Sequence, residues 1–291
     1  MKITLTGSLG HISKPLTKEL VQEGHSVTVI SRKPEKQKDI EALGATAAIS
    51  SIEEVEFLTS AFIDADAVYC MEPPHNRDVA AEKLVNNYVQ AIQQSGVKRV
   101  VILSSIGAHT DKGNGILAFF YNMETNLKKL PSDVAITFLR PGGFYYNLLR
   151  FVNTIKTQGV IVSNYGADDI LPWVSPIDIA TAAAEELVTP FAGRKVRYVV
   201  SEELACNETA CILGTAIGKP DLKWIVIPDE QMLSSLIAAG FHPQLAAGFV
   251  EMNASTHSGQ LFEDYYHNRP VLGKVKMKDF AVEFARVYHQ G

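Results

Sequence analysis

Cysteine is scarce: Cys70, Cys206 and Cys211 are the three in a chain of 291 residues. An odd, sparse set is no disulfide framework and points to a reducing compartment. Cys206 and Cys211 stand five apart, poor spacing for metal ligands, and read as two small residues on one helix. The eight histidines are scattered without an HExxH pattern, so no metal site is expected. No apolar run approaches the roughly 18 residues that span a bilayer. The opening residues run directly into a strand pattern rather than a signal peptide. A cytoplasmic protein with no membrane partner is expected. Long basic runs are also missing and the net charge is −5. Binding a phosphate backbone needs clustered Lys and Arg, so nucleic acid is not an expected partner. What remains is an ordinary globular composition, 46% hydrophobic and 20% charged, able to bury a large core without staples.

The first half alternates short β-type runs with helical segments. Strands are expected at 2–6, 26–31, 45–49, 66–71, 99–105 and 134–139, and helices at 12–24, 33–44, 53–63, 79–95 and 115–130. Such alternation indicates a parallel sheet covered on both faces. Continuous apolar runs such as "RVVIL" (99–103) fit that burial. After Asn147 the rhythm changes. A helix at 177–188 and a strand at 195–201 return to the sheet, while the remainder reads as short helices with one strand at 223–227. The expected architecture is α/β: a Rossmann-type doubly wound parallel sheet with a smaller, mostly helical C-terminal lobe. The sheet domain takes 1–147 and 174–202, and the lobe 148–173 and 203–291.

The first turn, "TGSLGHIS" (6–13), carries the main chemical signal. A dinucleotide site needs a tight turn after the first strand, close backbone approach to the pyrophosphate, and a helix whose free N–H groups face the anion. Gly7 and Gly10 meet the first two needs. Ser13 stands where a third glycine commonly allows close helix–strand packing, and slight loosening is expected there. The second strand ends "VISRKPEK" (29–36), without the carboxylate that binds the ribose hydroxyls of NAD. A guanidinium attracts a 2′-phosphate that a carboxylate would repel. NADP(H) is therefore expected over NAD(H), with Arg32 clamping the phosphate and Ser31 and Lys33 assisting.

These motifs, with "DADAVYCMEPP", "VKRVVILSSIGA", "METNLKKL", "ITFLRPGGFYYN" and "VSPIDIA", resemble the NmrA-like group of atypical short-chain dehydrogenases/reductases. The likeness covers most of residues 1–190. That group includes NADP-sensing regulators and NAD(P)H:quinone reductases. The resemblance implies that Gly7, Ser8, Leu9, Gly10, His11 and Ile12 surround the pyrophosphate. Met71 and Pro73 would line the path from adenosine to nicotinamide. Ser104 and Ser105 would end the fifth strand beside the nicotinamide ribose. Pro141, Gly142, Gly143 and Phe144 would floor the nicotinamide pocket. Arg140 and Asn147 either belong to the signature's function or satisfy local carbonyls. Asp178 reads as a helix-start residue. Where the group often has Gly-Asp after the third strand, this chain has Ser50-Ser51, which puts adenine contacts there in doubt.

Typical short-chain dehydrogenases pair Tyr and Lys one helical turn apart, so that the phenol can exchange a proton during hydride transfer. None of the ten tyrosines has Lys four residues later. Tyr121 lies on the appropriate helix and is the candidate catalytic residue, with Phe120 in a position where the group often has Lys, four residues before Glu124. Tyr121, Tyr145 and Tyr146 either wall a flat acceptor or pack the lobe. The missing pair disfavours sugar epimerases and alcohol dehydrogenases. It suits a quinone or another conjugated acceptor, whose reduced anion is delocalised. Two readings stay open: a reductase acting on a small-molecule acceptor, and a non-catalytic NADP(H) sensor that regulates a protein partner. A homodimer is left open as well.

Overall fold

The computed structural model describes residues 1–72 and 79–290. Strands and helices alternate from the start: β1 (Lys2–Leu5), α1 (Ser13–Gln22), β2 (Ser26–Ser31), α2 (Gln37–Glu41), β3 (Thr46–Ile49), α3 (Val55–Phe62), β4 (Ala67–Cys70), α4 (Val79–Ser95), β5 (Arg99–Leu103), α5 (Ala118–Leu127) and β6 (Ala135–Pro141). Then follow β7 (Gly143–Phe144), α6 (Val152–Gln158), β8 (Ile161–Ser163), β9 (Ile170–Val174), α7 (Pro176–Val188), β10 (Arg194–Val199), β11 (Glu202–Ala205), α8 (Cys206–Ala216) and β12 (Trp224–Val226). The chain closes with α9 (Asp229–Ala238), α10 (Pro243–His257), α11 (Glu263–His267) and α12 (Met277–Gln290). Among the described residues no helix is long and apolar enough to cross a membrane.

The chain divides into two compact units. The first comprises Met1–Ser105, Asn122–Arg140 and Ile179–Arg197; the second comprises Ile106–Tyr121, Pro141–Asp178 and Tyr198–Gly291. The central sheet has seven strands in the order β10-β6-β5-β4-β1-β2-β3. Pairing is parallel from β3 across to β6, with Leu5 opposite both Val29 and Tyr69. All the residues of β4 and β6 are buried, as strands covered on both faces must be. Helix α1 shows the matching logic: Ser13, Leu16, Thr17 and Leu20 are its buried residues, three and four apart, and form one stripe.

The helix expected over 33–44 is instead a 3-10 turn at Pro34–Lys36 followed by the five-residue α2. Ile40 is the buried residue of α2, so little apolar area holds a longer helix to the sheet. In the second unit, β8, β9 and β11 are strands that the sequence pattern does not announce. They form a three-stranded sheet, β11-β9-β7, and a pair, β12-β8. Trp224 anchors this unit, packed on Phe151 and Tyr165 with its indole N–H donated to the Tyr165 carbonyl at 2.8 Å. Asp178 does more than start a helix. Ser175 accepts the Ile177 N–H, the usual capping contact. The Asp178 carboxylate takes the Ser201 hydroxyl at 2.5 Å and the N–H groups of Lys274 and Val275 at 3.1 Å each, tethering a strap that enters α12.

Candidate cofactor site

Because β1, β2, β4 and β5 are parallel neighbours, their carboxyl ends share one edge of the sheet in the first unit. That edge carries Gly7–Ile12, Ser31–Lys33, Met71 and Ser104. The glycine turn is left-handed over two residues, with φ +89° at Gly7 and +52° at Ser8. The second value is unusual for a residue with a Cβ. Ser8 is held there by its N–H to the Ile30 carbonyl (3.1 Å) and by its hydroxyl, donated to Ser31 Oγ at 2.8 Å. The turn is thereby tied to the end of β2.

A Cβ on Gly7 would come within 2.3 Å of Met71 Sδ and 2.5 Å of Ser13 Oγ. Both atoms belong to the layer beneath the turn. Ser13 is fully buried and donates to the Thr6 carbonyl at 2.9 Å. Thr6 Oγ1 accepts the Met71 N–H at 2.9 Å, and Tyr88 donates to the Met71 carbonyl at 2.8 Å. The serine in the third glycine's place thus fills space and makes a hydrogen bond, and the expected loosening is absent. Gly10 is exposed, its N–H bonded to the Gly7 carbonyl at 3.1 Å, and no side chain caps α1. The turn therefore presents bare backbone and the open amino end of a ten-residue helix, a fit for a diphosphate. Leu9 is half-buried, His11 exposed and Ile12 buried.

At the tail of β2, Ser31 is buried and accepts the Lys33 N–H at 3.2 Å. Arg32 and Lys33 are exposed, and among the described residues neither side chain has an ion-pair or hydrogen-bond partner. Ser50 and Ser51 serve the next helix, Ser50 donating to Glu54 at 2.9 Å and Ser51 accepting the Glu53 N–H at 3.2 Å. Pro73 lies outside the described residues.

A buried ionic cluster follows β5. Arg140, at the end of β6, donates through Nε to Glu124 Oε1 (2.9 Å) and through Nη2 to Oε2 (2.7 Å). Ser104 donates its hydroxyl to the same Oε1 at 2.6 Å. Glu124, Arg140 and Ser104 are 0%, 5% and 3% exposed. The sequence pattern points to these residues separately and does not join them. The signal lies in "AITFLR": a guanidinium at the end of a mostly apolar strand requires a buried counter-charge.

The remaining expected residues fall in the second unit, apart from half-buried Ser105, which ends a segment of the first. Tyr121 ends the segment Ile106–Tyr121 and is half-buried. Pro141 and Gly142 are buried. A Cβ on Gly142 would come within 2.2 Å of the Pro172 carbonyl oxygen, and one on Gly143 within 3.2 Å of the Trp173 ring. Gly143 and Phe144 pair in parallel with Trp173 and Val174, so this turn is fixed by close backbone packing. Tyr145 is buried, stacks on Phe280 and donates to the Val275 carbonyl at 3.1 Å; burial pushes its phenol well above the ordinary range. Tyr146 donates to Glu283 at 2.8 Å, and burial followed by that carboxylate pushes its phenol up to about 12. Both tyrosines pack the unit. Asn147 is exposed.

A search of curated proteins finds similarity to an NAD(P)H azoreductase of Xenophilus azovorans, 25% identical over 87% of this chain and 86% of the relative. Among solved structures, the fold matches the NADPH-dependent quinone oxidoreductase of Escherichia coli in complex with NADPH, with a TM-score of 0.81 at 20% identity over 97% of this chain and 99% of that one. It also matches the triphenylmethane reductase of Citrobacter sp. in complex with NADP(H), with a TM-score of 0.78 at 20% identity over 98% and 100% of the two chains. The model of the NAD(P)H-binding family matches residues 7–190, from the glycine turn through α7, and the chain belongs to that family.

Proposed function

We propose that the protein is an NADPH-dependent reductase of a small conjugated acceptor, of the quinone or azo-dye class. One observation carries the reading. The end of β2 joins the glycine turn through the Ser8–Ser31 hydroxyl contact and then presents Arg32 and Lys33, whose exposed side chains have no partner among the described residues, where an NAD site carries a carboxylate. Gly7 to Ile12 hold the diphosphate, Ser31 fixes the turn, and Arg32 with Lys33 receives the 2′-phosphate. Bound NADPH supplies a hydride, and a proton from water completes reduction of the acceptor. Ser104 and Pro141 to Phe144 are assigned to the nicotinamide half. Tyr121 is assigned to the acceptor as the nearest equivalent of the missing phenol. The three relatives above are named as reductases of azo compounds, quinones and triphenylmethane dyes, acceptors whose extended π-systems delocalise incoming charge.

The lack of a Tyr-x-x-x-Lys pair favours a second reading, an NADP(H) sensor that binds without turnover. Mixing the protein with NADPH and a panel of quinones, enones and azo dyes separates the two. Oxidation of NADPH with first-order dependence on protein is expected. Tight NADPH binding with no acceptor turned over would replace the reductase by the sensor.

A further inference from the structure

Met71 follows β4 and supports the glycine turn from beneath. Its backbone is pinned twice: the N–H goes to Thr6 Oγ1 at 2.9 Å, and the carbonyl accepts the Tyr88 phenol at 2.8 Å. Tyr88 is itself buried, so the end of β4 is not free to move off. The thioether is thereby held against Gly7, where one added methyl carbon would come within 2.3 Å of Sδ and 3.0 Å of Cγ. Ser13 Oγ stands 3.6 Å from the same sulfur, with its proton donated to the Thr6 carbonyl at 2.9 Å. The sulfur fills its gap and leaves no space for a further heavy atom toward Gly7 or Ser13. Yet Met71 is half-buried, whereas Met123 and Met277 are closed off at 2% and 0% exposure. A solute the size of water can reach it. Of the other methionines open to solvent, Met1 precedes β1, at the far end of that strand from Gly7, and Met232 and Met252 belong to α9 and α10 in the second unit.

We propose that Met71 is a modification site: hydrogen peroxide converts its thioether to the sulfoxide, and the added oxygen shuts the glycine turn to the coenzyme. A sulfur lone pair attacks one peroxide oxygen and the O–O bond breaks. The second oxygen leaves as hydroxide and takes up the remaining proton as water. Sulfur is oxidised and the peroxide reduced. A flexible apolar side chain becomes a polar and bulkier one. Because the backbone is pinned, the new oxygen either pushes Gly7 and Ser8 out of their left-handed conformation or drives the side chain over the turn, into the space assigned to the diphosphate. Both outcomes weaken binding. The inference rests on the NADP(H) reading above and adds a reversible control to it, since methionine sulfoxide reductases restore the thioether.

The test treats the wild-type protein with hydrogen peroxide, removes the peroxide, and titrates NADP⁺ by calorimetry. Peptide mass spectrometry reads the oxygen added at each methionine. Protein oxidised at Met71 should bind NADP⁺ about tenfold more weakly or worse, the scale of forcing an extra atom into a filled contact. Affinity should return in step with loss of the Met71 sulfoxide when the reductases are added. NADP⁺ present during exposure should slow oxidation at Met71 and not at Met1. Met71→Leu gives the comparison: whatever its own affinity, peroxide should leave that affinity unchanged. If Met71→Leu does not fold or bind, the recovery in wild type decides alone. Unchanged NADP⁺ affinity with Met71 oxidised, a Met71 that stays reduced while Met232 and Met252 take up oxygen, or an equal loss in treated Met71→Leu would overturn the proposal and leave the cofactor reading intact. Untreated, folded wild-type protein that binds neither NADP⁺ nor NAD⁺ would overturn both.

Discussion

The two edges of the central sheet use positive charge in opposite ways. At the amino ends of β4, β5, β6 and β10 a shallow groove is bordered by Asp66, Lys98, Arg99, Asp133, Phe191 and Gly193. Here the cations are engaged. Lys98 pairs with Asp133 at 2.7 Å, Arg99 donates to the Leu187 carbonyl at 2.9 Å, and Arg194 caps the carbonyls of Leu130, Pro131 and Val134. At the carboxyl ends Arg32 and Lys33 stand open beside a turn with left-handed backbone at two residues. One edge uses its guanidinium groups to close chain ends. The other keeps charge and bare amides available to a ligand. The buried Glu124–Arg140 pair also lies toward the carboxyl edge, where it accepts the Ser104 hydroxyl rather than closing a loop.

The sharpest way to break this contrast is to delete a partner on each side. Glu124→Ala leaves the Arg140 guanidinium buried without its bidentate carboxylate and should cost about 3–5 kcal/mol in denaturant unfolding. Lys98→Ala, at an exposed pair on the amino edge, should be indistinguishable from wild type in the same experiment. Next in size is Gly7→Ala. The left-handed φ and the approach to Met71 and Ser13 should cost about 1–3 kcal/mol, and calorimetry should show at least a tenfold loss of cofactor affinity, roughly one hydrogen bond's worth.

A smaller effect is expected from Glu186 on α7. Burial opposes its charge, but hydrogen bonds from Lys195, Thr137 and Arg197 prevail and hold its carboxyl below the ordinary carboxylate range. A carboxyl depressed in the folded state stabilises above its unfolded pKa, and that contribution is lost as pH falls through the folded value. Stability of the wild-type protein should therefore decline on acidification below the ordinary glutamate pKa of about 4.3. Glu186→Gln should show a shallower acid limb, and a limb of unchanged slope would remove Glu186 from the account. Smallest of all, Lys98→Ala should leave NADPH affinity unchanged.

Much of the first unit is legible in the sequence because its strands are continuous apolar runs bounded by glycines. β2 and α4 fall where their patterns place them. Positions fixed by contacts distant in sequence are less legible. α2 is cut short because one buried side chain is weak reason for a long helix. β8, β9 and β11 are three to five residues long, too short for alternation to register. In the site, the glycine turn and the tail of β2 are local motifs and can be read directly. That Ser13 packs against Met71, that Glu124 joins Ser104 to Arg140, and that Asp178 tethers Lys274 and Val275 are facts of tertiary structure that no spacing encodes.

The most direct test is a titration of NADPH and NADH against wild-type protein and Arg32→Ala at fixed low salt. The account predicts tighter NADPH than NADH binding in the wild type. In the variant, loss of a charge-assisted contact worth about 1.5–3 kcal/mol should fall on NADPH alone and close the gap. Equal loss for both coenzymes, or no loss for either, would contradict the claim that the tail of β2 holds the 2′-phosphate.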